Sequence, residues 1–103
     1  MAIKVIYLQT AVEDLASIYK YISRDSIKYA KLEIQKIKAF TDSLKYQPLA
    51  GRLYQTMHGK EVRYIVFRNY IIYYTVEGNQ IGILTVHHHS RLLSNNPAFK
   101  DDE

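Results

Sequence analysis

The sequence predicts an α+β fold with element order β-α-α-β-β-β-β, in which an antiparallel helical hairpin packs on a twisted antiparallel sheet. Three features predict it. The run from Glu61 to Arg91 is built almost wholly of β-branched and aromatic residues, two helix-periodic stretches precede it, and a Pro48-to-Gly51 turn separates the two halves. Val, Ile, Tyr, Phe and Thr suit a pleated, half-buried surface. Breaks at Arg68-Asn69 and at Glu77-Gly78-Asn79 divide the run into three strands, and Gly78-Asn79 suits the positive φ of a tight hairpin. Such a meander has to bury one face, and the helices are the apolar material available to cover it.

In chain order, Ile3 to Leu8 reads as a first strand that joins the sheet. Thr10-Ala11-Val12-Glu13 has the form of a capping box, with the Thr10 hydroxyl and the Glu13 carboxylate satisfying each other's backbone amides. Ala11, Leu15, Ile18, Tyr19 and Ile22 then recur on one helical face, and the pattern fails at Ser23-Arg24-Asp25-Ser26. Asp25 or Ser26 is placed to cap a second, longer helix, in which Ile27, Ala30, Ile34, Ile37, Thr41 and Leu44 form the apolar stripe. That helix is expected to end near Tyr46, because Pro48 disfavours helical geometry at Gln47. Lys31, Lys38 and Lys45 fall in one stripe beside the buried one, either a solvated face or a surface for an acidic partner. After the Pro48–Arg52 turn, Arg52 to Met57 enters the sheet and His58-Gly59 turns the chain into the meander. Residues 1–93 are expected to form one domain, and residues 94–103 a flexible acidic tail.

A chain of 103 residues is long enough to bury roughly 65% of its unfolded surface in one core. Without cysteine it has neither disulfides nor a thiolate zinc site, in keeping with a reducing compartment. No segment approaches the roughly 20 apolar residues of a membrane span, so a soluble cytoplasmic protein without membrane partners is expected. The formal net charge is +4, and because Lys100 to Glu103 sets one lysine against three carboxylates, the body carries about +6. A basic body favours an acidic macromolecular partner.

Along the strand from Glu61, Val62, Tyr64 and Val66 point one way, and Glu61, Arg63, Ile65 and Phe67 the other. Arg63 therefore sits among apolar neighbours. It needs either a carboxylate on the hairpin, such as Glu13, Asp14 or Glu33, or a groove that receives an anionic group. His87-His88-His89 suggests a metal, but alternation sends His88 to the face opposite His87 and His89, so no ligand set is assembled and no metal is expected. His88 is either a proton carrier or a hydrogen-bonded strand-end residue. Tyr64, Tyr70, Tyr73 and Tyr74 suit a half-buried sheet as well as base stacking. The chain contains no phosphate loop, Ser-His-Asp order, paired-carboxylate site or dinucleotide fingerprint.

Together these residues resemble the toxins of the RelE/ParE superfamily of bacterial type II toxin–antitoxin modules. The resemblance rests on the opening strand followed by Ala11, Asp14-Leu15, Ile18 and Tyr21-Ile22, then Pro48, Gly51-Arg52, Val62-Arg63, Asn69 to Tyr74, Ile83-Leu84, Val86, His88 and Arg91. It implies a cognate antitoxin whose acidic, partly disordered C-terminal segment wraps the groove between hairpin and sheet, with Leu15, Ile18, Ile22, Lys31, Lys38 and Lys45 as its contacts. No cofactor is implied. Within the superfamily the Asn-Tyr-Ile-Ile-x-Tyr strand and the long hairpin resemble ParE toxins, which poison DNA gyrase, and Arg63, Tyr70, Tyr74, His88 and Arg91 become the target-facing groove. The alternative is a RelE-like endonuclease acting on mRNA in translating ribosomes, with Arg52, Arg63, His88 and Arg91 as its centre. Against it, the position of the RelE strand arginine is held here by Ile71. A non-toxic binding module is the third reading.

Overall fold

The computed structural model describes residues 3–88. Strand β1 (Lys4–Tyr7) leads into α1 (Gln9–Ser23) and α2 (Ile27–Ser43), which ends in a single 3-10 turn, Leu44–Tyr46. Four strands follow: β2 (Arg52–Met57), β3 (Lys60–Phe67), β4 (Tyr70–Glu77) and β5 (Gln80–His88). The sheet order is β1-β5-β4-β3-β2. Strands β2 to β5 form the expected antiparallel meander, but β1 pairs parallel to β5, so the sheet is mixed. The amide of Lys4 donates to the Asn79 carbonyl at 2.8 Å and that of Leu8 to the Ile83 carbonyl at 3.0 Å, which fixes β1 at both ends.

That second bond also explains why the Thr10 capping box does not form. Held at the end of a strand ladder, Leu8 is extended (φ −77°, ψ 166°) and becomes the N-cap itself, without a side-chain cap. The helix therefore begins at Gln9, Thr10 lies inside its first turn, and Glu13 accepts instead from the Gln9 side-chain amide at 3.0 Å. The second helix is capped as the sequence indicates, Ser26 Oγ accepting from the Tyr29 amide at 3.0 Å.

Ala11 and Leu15 of α1, Ile37 of α2 and Leu44 pack on Tyr70, Ile72, Tyr74, Ile81, Ile83 and Val86. The buried stripe of α2 differs from the expected one by a small rotation. Ala30, Glu33, Ile37 and Thr41 face inward, Ile34 is half-buried and Ile27 is exposed beyond the sheet. A carboxylate in that stripe is tolerated because it is paired, as described below.

Between β4 and β5 the register shifts, Tyr73 pairing with Thr85 and Tyr74 with Ile83, so that Leu84 is an extra residue. This bulge re-phases β5. Ile83 and Val86 join the core under the hairpin, whereas Leu84 joins a second cluster with Val62 and Tyr73.

Tyr74 is fully buried, and its hydroxyl donates to the Pro48 carbonyl at 2.8 Å while accepting from the Gly51 amide at 2.8 Å. It pins the turn that carries the chain from hairpin to sheet, so it is not a groove residue. A Cβ on Gly51 would stand 2.7 Å from that hydroxyl and 2.8 Å from the Tyr64 carbonyl, which is why glycine is required there.

Two outcomes are expected. Tyr74→Phe leaves a buried carbonyl and amide without their partner and should cost about 1–3 kcal/mol in urea denaturation. Burial is the leading cause raising the pKa of Tyr7, Tyr70, Tyr73 and Tyr74 above the ordinary 10.0. The folded chain then keeps these protons where the unfolded chain loses them. Their contribution to stability is complete below pH 10 and lost as pH rises through the folded values, so the urea midpoint should fall steeply above pH 10.

Candidate binding surface

Among the described residues, concavities flank the hairpin on two sides. The larger, about 470 Å³, lies between α1, the start of α2 and the β3–β4 turn. Asp14 and Glu33 contribute carboxylates to it, Tyr70 and His88 line its sheet side, and Ile18 and Ile22 come from α1. The smaller, about 290 Å³, lies along α1 near β1 and is mainly apolar, with Val12, Leu15, Ala16 and Ile34 in its wall and Lys38 as its one basic residue.

Both carboxylates of the larger cleft are engaged within the fold. The Asp14 carboxylate accepts from the Thr85 hydroxyl and, at 3.0 Å, from the Val86 amide, so α1 is fastened to β5 beside the bulge. Glu33, only 7% exposed, pairs with Arg68 Nε at 3.3 Å. Arg68 occupies the β3–β4 turn with φ +58°, a left-handed conformation that costs a residue with Cβ roughly 1–2 kcal/mol. The same turn aims its guanidinium at α2. Tyr70 and His88 are register partners, their rings edge to face at 5.7 Å. Burial raises the Tyr70 pKa most, with the charge of Glu33 adding to it.

The expected site residues separate into groups. Ile18, Ile22, Tyr70 and His88 come together in the larger cleft, while Leu15 and Lys38 meet in the smaller one. Lys31 is exposed on α2, and Lys45 is occupied by Asp42 at 3.1 Å and by the Tyr46 ring. Arg63 reaches none of the hairpin carboxylates proposed for it. Its Nη1 donates to the Gly51 carbonyl at 2.9 Å and its Nη2 lies 3.5 Å from Glu61, while Asp14 and Glu33 have partners of their own at the Tyr70 end of the sheet. Arg63 is opposite Tyr74 and His88 opposite Tyr70, four positions apart along β4, or about 13 Å. Arg52, exposed on the edge strand β2 and opposite Tyr64, shares the Arg63 end. The structure thus does not bring Arg63 and His88 together. Arg91, His89 and the expected tail at 94–103 lie outside the described residues.

Asp14, Glu33 and Arg68 were not singled out together as a site by the sequence. Asp14 and Glu33 were read only as possible partners of Arg63, and Glu33 left a further trace as a carboxylate flanked on the helical grid by Ala30 and Ile37. Among the described residues no group of three His, Cys, Asp or Glu side chains is placed to hold a metal ion, and no helix is long and apolar enough to cross a membrane.

Comparison with known proteins adds two findings. Residues 5–93 match the family described as the ParE toxin of type II toxin-antitoxin system, parDE. A solved structure, the chromosomal ParDE TA system from P. aeruginosa, is similar with a TM-score of 0.67 at 21% identity, covering 84% of this chain and 96% of that one. At that identity the likeness is one of fold. A search of curated proteins returned no match.

Asp14→Ala removes the acceptor for two groups of β5. A loss of about 2–4 kcal/mol is expected in urea denaturation, larger than that of Glu33→Gln, whose partner Arg68 is already in contact with water.

Proposed function

The chain belongs to the ParE toxin family of type II toxin–antitoxin systems, and from that premise we propose that it arrests growth by binding DNA gyrase in the cytoplasm and is neutralised by a cognate antitoxin. The observation that favours this over mRNA cleavage is the distance between Arg63 and His88. A phosphoryl-transfer centre needs its charge-stabilising and proton-moving groups around one reacting atom. Here these two stand at opposite ends of the hairpin-covered face, and Arg63 is engaged with the Gly51 carbonyl. Ile71 in place of the RelE-type arginine agrees with this.

Poisoning by docking asks no covalent chemistry of the toxin. It asks for a rigid shape and a charge pattern, which the hairpin fastened to the sheet supplies. For the antitoxin, the mainly apolar groove with Lys38 in its wall suits an amphipathic segment that carries acidic residues beside its apolar anchors. Ile18 and Ile22 in the neighbouring cleft extend the same surface along α1.

Controlled expression in bacteria should stop growth with cleaved gyrase–DNA complexes accumulating and transcripts intact. Transcript cleavage on ribosomes with DNA unaffected would favour the nuclease, and undiminished growth would remove both. Val12→Asp, which places a charge in the groove without touching the buried core, should weaken antitoxin binding by about tenfold or more in a calorimetric titration while leaving thermal stability nearly unchanged.

A further inference from the structure

Tyr70 lines the sheet side of the larger cleft and is only 7% exposed, yet its hydroxyl makes no hydrogen bond to any described residue. No sealed side-chain oxygen or nitrogen among the described residues lacks a partner, so this hydroxyl opens into the cleft. Half of each carboxylate is in the same position. Asp14 spends Oδ2 on the Thr85 hydroxyl and the Val86 amide, and its Oδ1 accepts from no described residue. Glu33, also 7% exposed, meets Arg68 Nε through Oε2 at 3.3 Å, and its Oε1 accepts no hydrogen bond from the described residues. After burial, the charges of Glu33 and of the Tyr29 phenol are what raise the Tyr70 pKa, so these three groups share one electronegative neighbourhood. The chain's own described cations stay outside it. Arg68 reaches Glu33 from the β3–β4 turn, Arg24 lies over the Tyr21 ring at 5.8 Å, and no described lysine or arginine lines the cavity.

We propose that the larger cleft receives an arginine side chain of the antitoxin. A guanidinium carries five N–H donors in a planar fork and no acceptor, which suits oxygens that stand ready to accept at separate points of one wall. An ammonium is a compact point charge and suits them less well. The aromatic lining from Tyr21, Tyr29 and Tyr70 gives the cation ring faces to lie against. The two carboxylates repel phosphate, so a nucleic-acid backbone is not the occupant. At about 470 Å³ the cavity falls within the roughly 300–1,000 Å³ of small-ligand pockets and has room for one side chain. An acidic segment drawn to the basic body would otherwise be free to lie in either direction along the hairpin. One cation that must enter the single carboxylate-lined cleft fixes its direction and register. The source of the arginine rests on the antitoxin reading given above, whereas the site is tested without it.

Nα-acetylarginine amide, added at millimolar concentration to the full chain, is the probe for the site. The backbone amide resonances of Ser17, Asn69 and Tyr70 should shift saturably, and the neutral isostere Nα-acetylcitrulline amide should bind about tenfold or more weakly. Glu33→Gln should abolish the difference between the two probes. Tyr70→Phe deletes a hydroxyl that the fold does not use, so the chain should keep its thermal midpoint while binding the arginine probe severalfold more weakly. Equal affinity for the two probes, or undiminished arginine affinity in the Tyr70→Phe chain, would overturn the site. Calorimetry with the purified antitoxin tests the occupant. One antitoxin arginine, changed to Gln, should weaken binding to the unaltered chain about tenfold and to the Tyr70→Phe chain by much less. Antitoxin that binds the unaltered, Tyr70→Phe and Glu33→Gln chains equally would overturn the antitoxin as the source of the arginine. Antitoxin that fails to bind even the unaltered chain would refute the antitoxin reading itself, and the proposed occupant with it.

Discussion

The contact between the Asp14 carboxylate and the β4–β5 bulge is the point on which the arrangement of this molecule turns. Hydrophobic burial drives the hairpin onto the sheet but is not directional, and many registers of helix on sheet would bury similar apolar area. A charged acceptor shared by the Thr85 hydroxyl and the Val86 amide selects one of them. The extra residue of the bulge makes this possible, since it presents Thr85 and Val86 to the same carboxylate. It also sets which way every later side chain on β5 points. His88 reaches the cleft at the hairpin for that reason, and Leu84, four residues earlier, faces the opposite side.

A second constraint works at the other end of the sheet. The Tyr74 hydroxyl satisfies one carbonyl and one amide of the turn after Pro48, and Arg63 adds a bond to the Gly51 carbonyl. Two residues that sequence patterning marks as possible groove members are thereby committed to holding the passage from helix to strand. The hairpin side carries a mainly apolar groove and the cleft that contains Asp14 and Glu33. The chain is basic overall while this cleft carries two carboxylates, so the hairpin side is patterned in charge rather than uniformly positive.

Element order, the three hairpin turns and the Ser26 cap were legible in the sequence because each rests on local chemistry: period-2 alternation, positive φ at His58, Gly59 and Gly78, and a hydroxyl placed before a helical stripe. The features that were not legible are tertiary. Thr10 to Glu13 has the letters of a capping box, but a ladder bond from Leu8 to β5 settles where the helix begins. Ile34 looks more buried than Glu33 until Arg68 is seen to reach across from a turn. The parallel pairing of β1 and the phase change at Leu84 depend on strands far apart in sequence, and no short motif records either. Arg63 and His88 both look chemical in the sequence, and only the register shows them four positions apart.

The central functional claim is that this fold acts by occupying a surface of gyrase and not by cutting RNA. A calorimetric titration of purified gyrase with the purified chain addresses it most directly. Saturable binding, abolished when the chain is first mixed with its antitoxin, is the result this account predicts. No detectable binding at concentrations that arrest growth would contradict it.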